Sequence, residues 1–278
     1  MHQQIDYGFL EVGKGKKPDR IFYETSGEGR PLVMIHAGFV DRRMWDNQFE
    51  FFAEKGFRVI RYDVRGFGKS DIPSSEYSDF LDLKELLDHL SVKKAVIMGI
   101  SNGGRITLDF AIEFPEMVEA MILVNSGASG YKSSGPQEDE LVKEVEERYK
   151  LQEKLVKIGK YRDAIELEVD IWDHTLTNDA RERLTELAKD NYHLMKKFPW
   201  ELQHSPTPPA FERLHSIDVA SMVVIGENDV EASQAASKRI QSMIRNSKLS
   251  VLPKAGHIAN LYNQDKFNQL ILDFLRDL

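Results

Sequence analysis

Short apolar runs rich in β-branched residues recur at 31–36, 57–63, 95–99 and 120–125, and again at 221–226 and 248–252. Gly, Pro or Asp bounds them, and strict polar–apolar alternation is missing. Strands read this way when both faces are covered, as in a parallel sheet between two helical layers. Segments of helical period lie between the runs, around 45–55, 79–90, 102–114, 232–245 and 264–277. The alternation predicts an α/β fold built on a mostly parallel sheet flanked by helices. Two earlier strands, near 6–12 and 20–25, are expected to form an antiparallel leading hairpin, which brings the sheet to eight strands.

The pattern breaks between Gly127 and about Ile217. This stretch is rich in Glu and Lys, has helical period over 138–158, 161–174 and 179–197, and ends in Ser205-Pro-Thr-Pro-Pro209. A segment so dense in proline cannot be helical. The chain therefore divides into a core, residues 1–126 and 216–278, and an inserted helical cap or lid, residues 127–215. At 278 residues one core is large enough to be stable without disulfides or metals.

Composition narrows the partners. A formal charge of −8 repels phosphate backbones, so nucleic acid is not an expected partner. Cysteine is absent, which removes disulfides, cysteine–zinc sites and any cysteine nucleophile. No His-Glu-x-x-His occurs, and the acidic cluster at 138–147 has the spacing of a solvated helix face, so no metal is expected. The amino terminus, MHQQIDYGFLEVGKGKKP, carries charge and glycine where a signal peptide needs an apolar run. No stretch approaches the roughly 20 apolar residues of a membrane span, and a cytoplasmic location is the expectation. Nothing in the sequence sets an oligomeric state.

The strongest local signal is Gly99-Ile-Ser101-Asn-Gly103, at the junction of an apolar strand and a helix. A nucleophile elbow has this context. The serine sits in a tight turn, small residues two positions either side leave room for the chain, and the following helix's amino end favours negative charge. A serine hydroxyl needs a base to take its proton, and the base needs an orienting acid. His257, in Lys254-Ala-Gly-His257, follows the last apolar run, and Asp229 follows the run ending at Gly226. The chain order Ser101, Asp229, His257 suits this triad. Glu227 and Glu231 flank Asp229 as rival acids, whereas the strand end at Asn125-Ser126 offers no carboxylate.

On these residues the chain resembles the α/β-hydrolase superfamily, in the branch of small esterases, enol-lactonases and meta-cleavage C–C hydrolases. The likeness covers 20–126 and 216–278 and includes the segments 36–45 and 62–70. It implies that Gly38 supplies one oxyanion amide, with Phe39 the alternative donor, and that Asn102 supplies the other. Ala37 stands where the family has glycine, and Tyr262 where many members have glutamate five residues after the histidine. In the family the Asp63-x-Arg65-Gly-x-Gly68-x-Ser70 segment is a structural turn. It fits neither a P-loop nor a dinucleotide fingerprint, because Asp63 and Asp71 occupy glycine positions.

The resulting expectation is a cofactor-free serine hydrolase acting on an ester, lactone or related acyl bond of a small molecule. Ser101 in place of an aspartate nucleophile argues against dehalogenase and epoxide-hydrolase chemistry. A C–C hydrolase, a hydroxynitrile-type lyase on the same triad, and a receptor-like binder with little turnover stand as alternatives. Cap aromatics, Trp172 and Trp200 among them, serve either as glue between cap and core or, with Phe39, as substrate contacts.

Overall fold

The computed structural model describes residues 4–13 and 18–278. Residues 1–3 and 14–17, part of the amino-terminal segment discussed above, lie outside the described residues. The expected hairpin is formed by β1 (Ile5–Val12) and β2 (Asp19–Ser26). The chain continues through β3 (Arg30–Ile35), α1 (Asp46–Glu54), β4 (Phe57–Tyr62), α2 (Asp79–His89), β5 (Ala95–Ile100), α3 (Asn102–Glu113) and β6 (Val118–Val124). The long excursion that follows carries α4 (Pro136–Lys157), α5 (Tyr161–Trp172), α6 (Asn178–Asp190), α7 (His193–Lys197) and α8 (Ala210–Arg213). The chain then returns to the sheet as β7 (Ala220–Gly226), α9 (Glu231–Met243), β8 (Ser247–Leu252) and α10 (Gln264–Arg276).

Eight strands make one sheet in the order β1-β2-β4-β3-β5-β6-β7-β8. β2 pairs antiparallel with β1 and β4, and every other pairing is parallel. The strands lack alternation because both faces are buried. Val33, Ile35 and Ile97 point into one apolar layer with Leu83, Ile106 and Ile240, while Leu32, Met34 and Val96 point into another with Phe49, Phe52 and Phe267. Each such side chain contributes about 1.5–3 kcal/mol on burial, so central strands without polar positions are the stable solution. No helix of the described residues is long and apolar enough to cross a membrane.

The 179–197 segment, expected as one helix, is two. α6 stops at Asp190 and α7 begins at His193. Asn191 accounts for the break. Its Nδ2 donates to Leu187 O at 2.8 Å and to Asp41 Oδ2 at 2.9 Å, and its Oδ1 accepts from Gly68 N at 2.8 Å. A side-chain amide that ties backbone and core groups together competes with helix continuation.

The 63–70 segment is a buried ionic brace. Asp63 accepts from Arg42 Nη1 at 2.8 Å and from Lys69 N at 2.9 Å, and Arg65 lies between Asp19 and Asp82. Parallel pairing among β3 to β8 brings six carboxyl ends to one edge of the sheet, where α/β proteins place their sites.

Candidate active site

Ser101 follows β5 directly, with φ 55° and ψ −113°. A non-glycine residue at positive φ costs on the order of 1–3 kcal/mol and persists only when its surroundings impose it. Two glycines permit that geometry here. A Cβ on Gly99 would strike the backbone of Gly103, and one on Gly103 would strike the carbonyl of Ile35. The Ser101 amide donates to Val124 O at 3.0 Å, which anchors the turn to β6.

Asp229 and His257 come from the loops after β7 and β8. His257 Nδ1 and Asp229 Oδ1 are 2.8 Å apart, and both side chains are buried. The rival carboxylate Glu227 is engaged elsewhere, accepting from Lys254 N at 2.8 Å. Asp229 is held in turn by Ser233 Oγ, which donates to its Oδ2 at 2.5 Å, and by Val230 N, which donates to Oδ1 at 2.7 Å. Burial by itself opposes a charged imidazole, but Asp229, with Asp173 and Glu168 further off, outweighs it and raises the His257 pKa above 6.5. His257 Nε2 is buried and has no hydrogen-bond partner among the described residues. Ser101 and His257 are therefore not hydrogen-bonded to one another in this structure. Contacts of this kind often tighten only when substrate is bound.

Gly38 lies against the start of α3, where a Cβ on it would come 3.3 Å from Asn102 Cβ. The Asn102 amide belongs to a first helical turn whose N–H groups have no intrahelical acceptor. His36, buried and held neutral by desolvation, fixes this loop. Its Nε2 accepts from Val64 N at 2.9 Å, and its Nδ1 donates to Ala37 O at 2.8 Å.

A family model described as alpha/beta hydrolase fold matches residues 30–264. The chain belongs to that family. It is 30% identical over 279 residues to the 2-hydroxy-6-oxononadienedioate/2-hydroxy-6-oxononatrienedioate hydrolase of Escherichia coli (strain K12 / DH10B), covering 96% of this chain and 94% of that one. It is likewise 30% identical over 267 residues to the 2-hydroxy-6-oxo-6-phenylhexa-2,4-dienoate hydrolase of Comamonas testosteroni, covering 92% and 91%. A thermophilic esterase from Thermogutta terrifontis superposes with a TM-score of 0.78 at 22% identity over 98% of both chains, a likeness of fold.

In this alpha/beta hydrolase the sequence reading missed a central residue. Asn125, at the end of β6 with φ 44°, donates from Nδ2 to Gly256 O at 3.0 Å and to His257 O at 2.7 Å. Its Oδ1 accepts from Gly226 N at 2.9 Å. One buried amide thus links the end of β7 to the His257 loop. Asparagine tolerates positive φ, and that is the signal Asn125-Ser126 carried.

The helices between β6 and β7 close over this edge. Trp172 stacks on the His257 ring, with centroids 4.3 Å apart and planes at 29°. Next to it Asp173 accepts from Ile258 N at 2.7 Å and from Tyr262 OH at 2.6 Å. Tyr262, the departure from the family's usual glutamate, therefore ties the histidine loop to these helices. A cavity of about 360 Å³ lies beside the Gly38 loop, lined by Gly38, Phe39, Tyr149, Gln152, Glu168 and Trp200 among others. Among the described residues, no group of three or more His, Asp or Glu is placed to hold a metal ion.

Proposed function

We propose that this protein is a cofactor-independent serine hydrolase that cleaves a carboxylic ester, lactone or related acyl bond of a small molecule, with residues 127–215 acting as a cap over the site. The observation that carries this reading is the pairing of a strained serine at the end of β5 with a buried imidazole held at Nδ1 by Asp229 at 2.8 Å.

The Ser101 hydroxyl attacks the acyl carbon while His257 Nε2, the ring nitrogen left without a partner, takes its proton. Asp229 holds the Nδ1–H tautomer and stabilises the imidazolium that forms. The amides of Asn102 and of Gly38, or in its place Phe39, receive the oxyanion, and two such donors contribute several kcal/mol, about 3 each, to the transition state. Collapse expels the alcohol, which receives the proton from Nε2. Water, activated by the same nitrogen, then releases the acid and regenerates the serine.

A C–C hydrolase is the second reading, favoured by the 30% identity to two such enzymes over most of the chain. Their named substrates are carboxylates. The cavity beside the Gly38 loop is lined by Glu153 and Glu168, and none of its described lining residues is Lys, Arg or His. Such a lining disfavours an anion, which supports the ester reading. Labelling with a fluorophosphonate, followed by a chain-length panel of esters beside a hydroxy-oxo-dienoate, tests both. Labelling with rapid ester turnover supports the first reading; dienoate turnover with slow ester cleavage supports the second.

A further inference from the structure

We infer that the cavity under the cap selects esters whose alcohol portion carries an ammonium group, with Glu168 as its counter-ion. This substrate preference rests on the hydrolase reading above. The first ground is the state of Glu168. Its carboxyl is almost fully buried on α5, where it accepts from Tyr149 OH at 3.1 Å and from Gln152 Nε2. Every other buried carboxyl among the described residues either pairs with an arginine or His257, or accepts a backbone N–H, as Glu138 and Asp173 do. Glu168 has neither. Its hydrogen-bond donors, Tyr149, Gln152 and Trp172, are all neutral, so its charge has no ion-pair partner among the described residues.

The second ground is where this carboxyl lies. It borders the same cavity as Gly38, whose loop faces Asn102 and the nucleophile's helix. Phe39, Tyr149 and Trp200 line that cavity too, and Glu153 adds a second acid. Aromatic faces with a buried acid and no basic residue form a surface that attracts an organic cation. Burial raises the Glu168 pKa, so an arriving ammonium both recovers the carboxylate and satisfies it. At about 360 Å³ the space suits a small ester rather than a long acyl chain. Glu168 also favours the His257 cation, an effect common to a charged and a neutral ester that cancels in the ratio of their rates.

Dimethylaminoethyl acetate, protonated at neutral pH, and isoamyl acetate are near-isosteres that differ in charge. Their kcat/KM ratio is measured by pH-stat in the parent and in Glu168→Gln, and their affinities for Ser101→Ala protein are measured by calorimetry. The expected result is a cation-to-neutral ratio that falls about ten-fold in Glu168→Gln, with the cation bound about ten-fold more tightly by Ser101→Ala. A ratio unmoved by Glu168→Gln, or equal or absent binding of the two esters by Ser101→Ala, overturns the inference. The calorimetry needs no change at Glu168, so it decides the matter even if that variant does not fold. If Ser101→Ala still cleaves esters, the serine assignment falls instead, and the binding preference is judged on the calorimetry alone.

Discussion

Trp172 at the end of α5 is stacked on His257 in the loop after β8, with ring centroids 4.3 Å apart, while Trp172 Nε1 donates to Tyr149 OH at 2.8 Å. The plane of the imidazole is thus set from one side by Asp229 and from the other by a helix outside the core. Trp172→Ala is expected to lower kcat on every ester, because it frees the ring. Trp200→Ala, at a half-exposed residue of the cavity wall, is expected to change chain-length preference with little effect on the smallest esters. A kinetic panel of short and long esters checks both, and equal effects of the Trp200 change on all lengths would count against the cap's role.

Ser101→Ala should reduce ester cleavage by at least about 10⁴-fold, since the rest of the constellation cannot act without its nucleophile. Folding should survive, because a small side chain fits the elbow and the turn's anchor is the backbone bond to Val124. Circular dichroism and single-turnover kinetics test the two halves separately. Turnover close to the parent's would remove Ser101 from its proposed role.

The pH profile carries a sign. Base catalysis needs neutral imidazole, and the folded pKa of His257 lies above 6.5 because Asp229, Asp173 and Glu168 favour its cation. Activity should therefore rise with pH along an acid limb whose midpoint lies above the ordinary imidazole value. Asp173→Asn deletes one of those charges and should move the limb to lower pH. Asp229→Asn should cost about 10⁴-fold in kcat by releasing the tautomer. A limb that does not move in Asp173→Asn would show that this carboxyl is electrostatically silent.

Asn125→Ala removes one residue that bonds Gly226, Gly256 and His257 at once. Leaving these buried backbone groups unpaired should cost about 2–4 kcal/mol of stability, read as a lower thermal midpoint. The base's loop is then free to shift, and a misplacement near 1 Å costs about 10²-fold in rate. The loss should fall on kcat rather than KM. A stability loss with kcat intact would make Asn125 structural only.

The sheet was legible because burial on both faces leaves a local trace: strands such as 95–100 and 118–124 contain almost nothing polar. The elbow was legible for a similar reason, since Gly99 and Gly103 are needed within a few residues of Ser101. The split between α6 and α7 was not, because Asn191 breaks the helix through Asp41 and Gly68, both more than a hundred residues away. Asn125 was passed over because its partners Gly226 and Gly256 lie equally far along the chain.

The sequence alone therefore determined the layered α/β architecture, the position of the inserted helices and the candidate trio of Ser101, Asp229 and His257. Period, turn chemistry and chain order are properties of neighbouring residues and can be read along a line. Only the tertiary structure decided that Asp229 rather than Glu227 meets the imidazole, that Trp172 covers it, and that Glu168 is buried beside the Gly38 loop with no ion-pair partner among the described residues. Those outcomes depend on which distant side chains share a low-dielectric space, and folding sets that distance independently of separation along the chain.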